Sequence, residues 1–285
     1  MVPSVKQAGV KPTMANVAYG SQSTAQRMDL YRPPVAGVVP AVLYIHGGGF
    51  RFGTRDMASA SLIKGFLAAG YAVLSVDYRL SSEAKFPAAV QDVFSAMAYV
   101  KTHHAQLQID PDNVAVYGES AGANLGSLLG VAFEYPLFKS AQDEKVDLKP
   151  VAVISQYPPV DFLQIDPMLE KQGCQGGMEH NAADGLESAY LGGALPRIPY
   201  LVAQADPRTY ITSAAAPFFI QNGDKDCMVG AGQSLLLVKA LNRHRVPVEY
   251  EQIQGASHGG PQYETPQNIQ KILAFLSSYR SGTSH

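Results

Sequence analysis

The sequence is poor in cysteine. Cys174 and Cys227 are its only two, and neither belongs to a CxxC pair or a metal-ligand cluster, so no zinc site is expected. Net charge is scarce too, at -2, which leaves no broad basic field to gather phosphates and argues against a nucleic-acid partner. Long apolar runs are missing. The longest, such as Val38 to Ile45 and Ala68 to Val76, fall far short of the roughly 20 residues a membrane span requires. The first residues, Met1 to Gln7, lack the charged start and apolar block of a signal peptide, and localisation stays open at this point.

What is present is a chain able to build a large core. Hydrophobic residues make up 46% and charged residues 16% of its 285 positions, the balance of a packed globule and not of a disordered segment. Apolar, β-rich runs recur at 39–45, 71–77, 113–118, 151–156, 218–222 and 248–253. Amphipathic helical patterns lie between or after them, at 57–69, 88–103, 121–132, 232–243 and 266–279. Near-continuous apolar strands alternating with helices predict a parallel sheet covered on both faces. Residues 16–19 and 27–31 read as a short hairpin at its antiparallel edge. We expect one α/β domain over residues 1–285, interrupted by a long insertion at 158–217 that is rich in Gly, Pro and Asp and poor in periodicity. Insertions of this length usually serve as lids or binding loops.

The strongest chemical signal is Gly118-Glu119-Ser120-Ala121-Gly122. It follows an apolar strand pattern and opens a helical one, the context of a nucleophile elbow, in which a tight turn holds the serine hydroxyl out at the sheet edge. A serine hydroxyl needs a base to take its proton. Of the seven histidines, His258 stands in a glycine-flanked loop between the last strand and the last helix, the chain order this elbow architecture uses. His103 and His104 end an exposed helix, whereas His180, His244 and His285 fall in the insertion, on a helix end and at the terminus. A carboxylate must orient the imidazole. Asp226, after the strand at 218–222, suits that task better than its loop neighbour Asp224 or the more distant Asp161, because Met228 and Val229 behind it would anchor it.

His46-Gly47-Gly48-Gly49-Phe50 closes another strand. Its glycines let backbone N–H groups approach a developing oxyanion, and a further N–H comes from Ala121 after the nucleophile. No G-K-[ST] follows, which excludes a phosphate loop. His46 is read as a brace for this loop, Arg79, Glu83 and Asp92 as structural charges, and Glu119 as structural.

The segments at 46–50, 78–80 with 86–89, and 118–122, together with the Asp226 and His258 loops, resemble the hormone-sensitive-lipase-type esterases of the α/β-hydrolase fold. Within that group, residues 216–226 followed by Gln233-Ser234 are similar to the branch named for a feruloyl-esterase-like domain. The resemblance implies a serine esterase acting without a cofactor on short-chain acyl or carbohydrate-linked (acetyl or feruloyl) esters, with Ser120, Asp226 and His258 as catalytic residues. It also implies Gly48, Gly49 and Ala121 as oxyanion donors. Two departures stand out. The family's His-Gly before the acid is Asn222-Gly223 here, and the segment before Tyr31 is too short for the large helical cap of some relatives, so the cover must come from the insertion. The branch further suggests a Cys174–Cys227 disulfide, which would imply a secreted or periplasmic setting.

Three rival readings share this apparatus. An amidase or formamidase differs only in turnover of amides, a ligand-binding relative usually lacks one triad member, and a peptidase would need an additional domain. Tyr157, Tyr190, Tyr200, Tyr210 and Phe162 are candidates either to stack on an aromatic acyl group or to pack the insertion down.

Overall fold

The computed structural model describes residues 3–141, 143–175 and 177–281; His285 lies outside them. Eight strands form one sheet: β1 Met14–Ala18, β2 Arg27–Tyr31, β3 Val39–Ile45, β4 Ala72–Val76, β5 Ile109–Glu119, β6 Val153–Gln156, β7 Phe218–Gly223 and β8 Val248–Ile253. Their order is β1-β2-β4-β3-β5-β6-β7-β8. The first hairpin is antiparallel, β2 pairs antiparallel with β4, and every later pairing is parallel. This is the α/β-hydrolase arrangement expected from the sequence.

Between the strands, and after the last of them, run the helices α1 Ala60–Ala68, α2 Ala88–Thr102, α3 His104–Leu107, α4 Ala121–Ala132, α5 Ile165–Gln172, α6 Leu186–Leu191, α7 Pro199–Ala205, α8 Ala231–Arg243 and α9 Pro266–Ser278. Two of them start on side-chain caps. Ser59 accepts from the Leu62 amide at α1, and Thr265 accepts from the Asn268 amide at α9, each satisfying a donor the helix itself cannot pair. No helix among the described residues is long and apolar enough to cross a membrane.

Strand alternation sends side chains to two separate cores. Leu43, Leu74 and Val116 join the core under α2, α4 and α8 with Val90, Leu125 and Leu237. Val42, Tyr44 and Tyr117 face the opposite core with Leu62, Phe66 and Phe275 of α1 and α9. Both faces of the central strands are thus dry, which is why β3 and β4 read as continuous apolar runs and are buried along their whole length. At the mouth of the sheet Arg79 and fully buried Asp92 pair at 2.7 Å. The insertion at 158–217 is more regular than its composition suggests, since α5, α6 and α7 lie within it.

Candidate active site

Three strand ends on the carboxyl side of the sheet bring the sequence's chemical residues together. Ser120 sits between β5 and α4 with φ 52° and ψ -120°, a conformation a non-glycine residue holds only when its surroundings enforce it. The enforcement is visible at Gly122, where a Cβ would come within 2.2 Å of the Ile45 carbonyl oxygen. Only glycine lets the first turn of α4 press that close to β3.

His258 reaches this turn from the loop after β8. Its Nε2 lies 2.8 Å from Ser120 Oγ, and its Nδ1 lies 2.9 Å from Asp226 Oδ2. Asp226 is wholly buried, and its other oxygen accepts from the Met228 and Val229 amides at 2.8 and 3.0 Å. Burial would raise this carboxyl's pKa, but the hydrogen bond and charge of His258, with the two amides, outweigh it and hold the group below the ordinary carboxylate value. The competitors are engaged elsewhere. Asp224 caps the Gly255 amide at 2.6 Å, and Asp161 pairs with Arg208 at 2.7 Å. Asn222, where the resemblance leads one to expect histidine, accepts from Tyr250 Oη at 2.7 Å and is thus held within the sheet.

The glycine loop faces the same space. Gly47, Gly48 and Gly49 line a cavity of about 390 Å³ together with Ser120 and His258. Gly48 has φ 116°, and a Cβ there would meet the Phe52 carbonyl at 2.2 Å. Ala121 opens α4 directly after Ser120, and the first amides of a helix have no acceptor within it. His46 braces the loop as expected. It stacks on Tyr78 at 4.4 Å, its Nδ1 donates to the Gly47 carbonyl at 2.7 Å, and Tyr78 Oη donates to the His46 carbonyl at 3.0 Å.

One wall of the cavity is apolar, formed by Phe52, Met57, Met178, Leu186 and Met228; Tyr44, Glu119 and Tyr157 make a polar counterpart. Of the five aromatic residues singled out in the sequence, Tyr157 alone lines this space. Tyr190 is stacked on Phe50 at 3.9 Å, Phe162 is buried beside it, Tyr210 packs on Tyr135 and Phe138, and Tyr200 is exposed. The methionines and Leu186 carried no pattern by which sequence alone could find them.

Glu119 is the other residue the sequence undervalued. Its carboxyl is pushed up to about 7 by burial and by the nearby charge of Glu264, against the hydrogen bonds it accepts from Tyr44 and Tyr157. Ser59 donates to Glu264 behind it. Cys174 and Cys227 are joined by a disulfide, with Cα atoms 5.5 Å apart across a separation of 53 residues. Among the described residues, no group of three or more His, Cys, Asp or Glu side chains is arranged to hold a metal ion.

Comparison with known proteins matches residues 28–241 to the BD-FAE family model. Esterase LipC of Mycobacterium tuberculosis is 27% identical over 246 residues, covering 85% of this chain and 59% of its own length. The probable carboxylic ester hydrolase LipM of the same organism is 26% identical over 255 residues, with 85% and 55% covered. The chain thus spans little more than half the length of these curated relatives. Among solved structures, a truncated carbohydrate esterase from gut microbiota superposes with a TM-score of 0.84 at 25% identity, over 94% of this chain and 96% of that one.

Proposed function

This chain belongs to the BD-FAE family, and from that premise we propose that it is a serine carboxylic ester hydrolase working through an acyl-enzyme. The observation that carries the reading is the single imidazole of His258 in contact with both Ser120 Oγ and Asp226 Oδ2. In this reading Ser120 Oγ attacks the ester carbonyl carbon while His258 Nε2 takes its proton, and the buried Asp226 stabilises the imidazolium. The carbonyl oxygen, now an anion, is held by the amides of Gly48, Gly49 and Ala121, each such donor being worth about 10²- to 10³-fold in rate. Collapse breaks the bond to the alcohol oxygen, which leaves with the proton from His258. Water, deprotonated by the same ring, then cleaves the acyl-enzyme and frees Ser120.

The substrates are short-chain acyl esters or acyl groups carried on carbohydrate. Support comes from the family, from a TM-score of 0.84 to a carbohydrate esterase, and from the dimensions of the cavity. At about 390 Å³ it matches the smaller binding pockets of globular proteins and admits a compact group. Hydrolysis of p-nitrophenyl acetate and butyrate by the purified chain, with covalent labelling of Ser120 by a fluorophosphonate, tests the proposal. Wild-type protein that neither turns over these esters nor takes the label would end it.

A further inference from the structure

The loop 226–228 is tied to the insertion at three consecutive residues. Gln172 Nε2 donates to the Asp226 carbonyl at 2.8 Å, Cys174 is bonded to Cys227, and His180 Nε2 lies 2.8 Å from the Met228 carbonyl oxygen. The third tie differs in kind from the others, because His180 has a second partner in Glu187 Oε2, 2.7 Å from its Nδ1. His180 is 2% exposed and Glu187 3%, so water does not substitute for either bond.

We infer that His180 is a positioning residue, a doubly protonated imidazole that fixes the apolar wall of the active-site cavity and thereby sets which acyl or alcohol group the site accepts. The inference rests on the esterase reading for its consequence in turnover, but its chemistry stands on the local geometry. A carbonyl oxygen can only accept, and so can a carboxylate. With Glu187 ionised, both ring nitrogens carry hydrogen, and a neutral ring, with one N–H, would leave one of the two bonds unmade. The three segments joined bear three of the wall's five residues, Phe52 and Met57 coming from the stretch after β3. Met178 lies two positions before His180, Leu186 directly precedes Glu187, and Met228 supplies the carbonyl.

The charged groups around the ring all favour the cation. Glu187 approaches from α6. Asp166 approaches from α5, its carboxylate accepting from the His180 and Asn181 amides at 3.0 and 2.8 Å. Asp226 lies two positions before Met228 and accepts from its amide. Burial alone would pull the imidazole down, yet the hydrogen bond and charge of Glu187, the charge of Asp166 and the Met228 carbonyl raise it above its ordinary value of 6.5. The clamp is accordingly complete below that ordinary value and is released as pH climbs through the raised one.

The test combines two readouts on the full chain. Imidazole nitrogen NMR of histidine-labelled protein, with His180→Asn for assignment, should show residue 180 protonated on both nitrogens at about pH 6 and losing a proton above the ordinary histidine range. Kinetics of p-nitrophenyl butyrate and acetate should show KM for butyrate rising about three- to tenfold in His180→Gln and Glu187→Gln near pH 7, with kcat for acetate changed less than about twofold. In wild type the same rise should develop with pH, and in His180→Gln it should be present throughout. A singly protonated ring at about pH 6, or a folded His180→Gln protein with wild-type KM from about pH 6 to 9, overturns the inference. Should His180→Gln fail to fold, Glu187→Gln and the wild-type titration still decide. Wild-type protein with no esterase turnover would sink the functional reading alone, since the NMR result is independent of it.

Discussion

The ring of Tyr157 meets the imidazole of His258 edge-on, with centroids 4.6 Å apart and planes inclined at 60°. Tyr157 holds φ 42° just past the end of β6 and is itself met by Tyr263 at 4.9 Å, so its ring is packed between two neighbours. A positive ring edge against a negative face is worth about 0.5–1.5 kcal/mol. Tyr157→Phe keeps that contact and should leave kcat for p-nitrophenyl acetate within about threefold, whereas Tyr157→Ala should cost about tenfold. Equal losses in both variants would mean that the hydroxyl, not the ring, matters.

Asp226 divides its two oxygens between the backbone and His258. In Asp226→Asn the side-chain oxygen must stay on the Met228 and Val229 amides, which only donate. The new NH₂ then faces His258 Nδ1 and forces the hydrogen onto Nε2, where it blocks acceptance of the Ser120 proton. We expect kcat to fall about 10⁴-fold, as for a triad with the wrong tautomer, while the far-ultraviolet spectrum is unchanged. Retention of a tenth or more of the activity would remove Asp226 from its assigned role.

Glu119 gives a prediction about stability. Its proton is held in the folded chain up to about 7 against an ordinary value of 4.5. Between these values the folded state binds more protons than the unfolded one, so this group's contribution to stability declines as pH rises through the interval. Glu119→Gln removes the decline. Its Tm relative to wild type should therefore improve by about 2–4 °C between pH 4 and pH 8, measured by calorimetry; a flat difference contradicts the assignment.

The Cys174–Cys227 bond closes 53 residues. In the chain-entropy view such a closure stabilises by about 4 kcal/mol, with measured values commonly between 2 and 4. Cys174→Ser should lower the unfolding free energy in urea by about that amount, and unreduced peptide mass spectrometry of the wild type should find the two cysteines in one linked peptide. Finding both thiols free would dispose of the bridge and, with it, the argument from the bridge to an oxidising compartment.

Legibility in the sequence followed the range of the interactions involved. The strand and helix patterns are local, and so is the elbow at Ser120, whose strand, turn and helix are written within a few residues. Even there the local signal had limits. The strand expected at 113–118 begins at Ile109, because Asp110 and Pro111 break the apolar run although Ile109 still pairs with Val39. The cavity wall was invisible for a physical reason. Met57, Met178 and Met228 stand in three segments with no shared periodicity, and only tertiary packing makes them neighbours. The raised pKa of Glu119 comes from burial and then from Glu264, which is remote in sequence, and Tyr190 stacks on Phe50 and does not line the cavity.

Residues 226, 227 and 228 make three separate connections in unbroken succession: to the His258 imidazole, to the insertion through the disulfide, and to the lining of the pocket. Lengthening or shortening this loop by a single residue would disturb all three together, so descendants of the chain can diversify here in side chain but scarcely in length. Variation in the pocket's contour is displaced onto Met57, Met178 and Leu186, where a replacement reshapes the lining without passing through the backbone that carries Asp226.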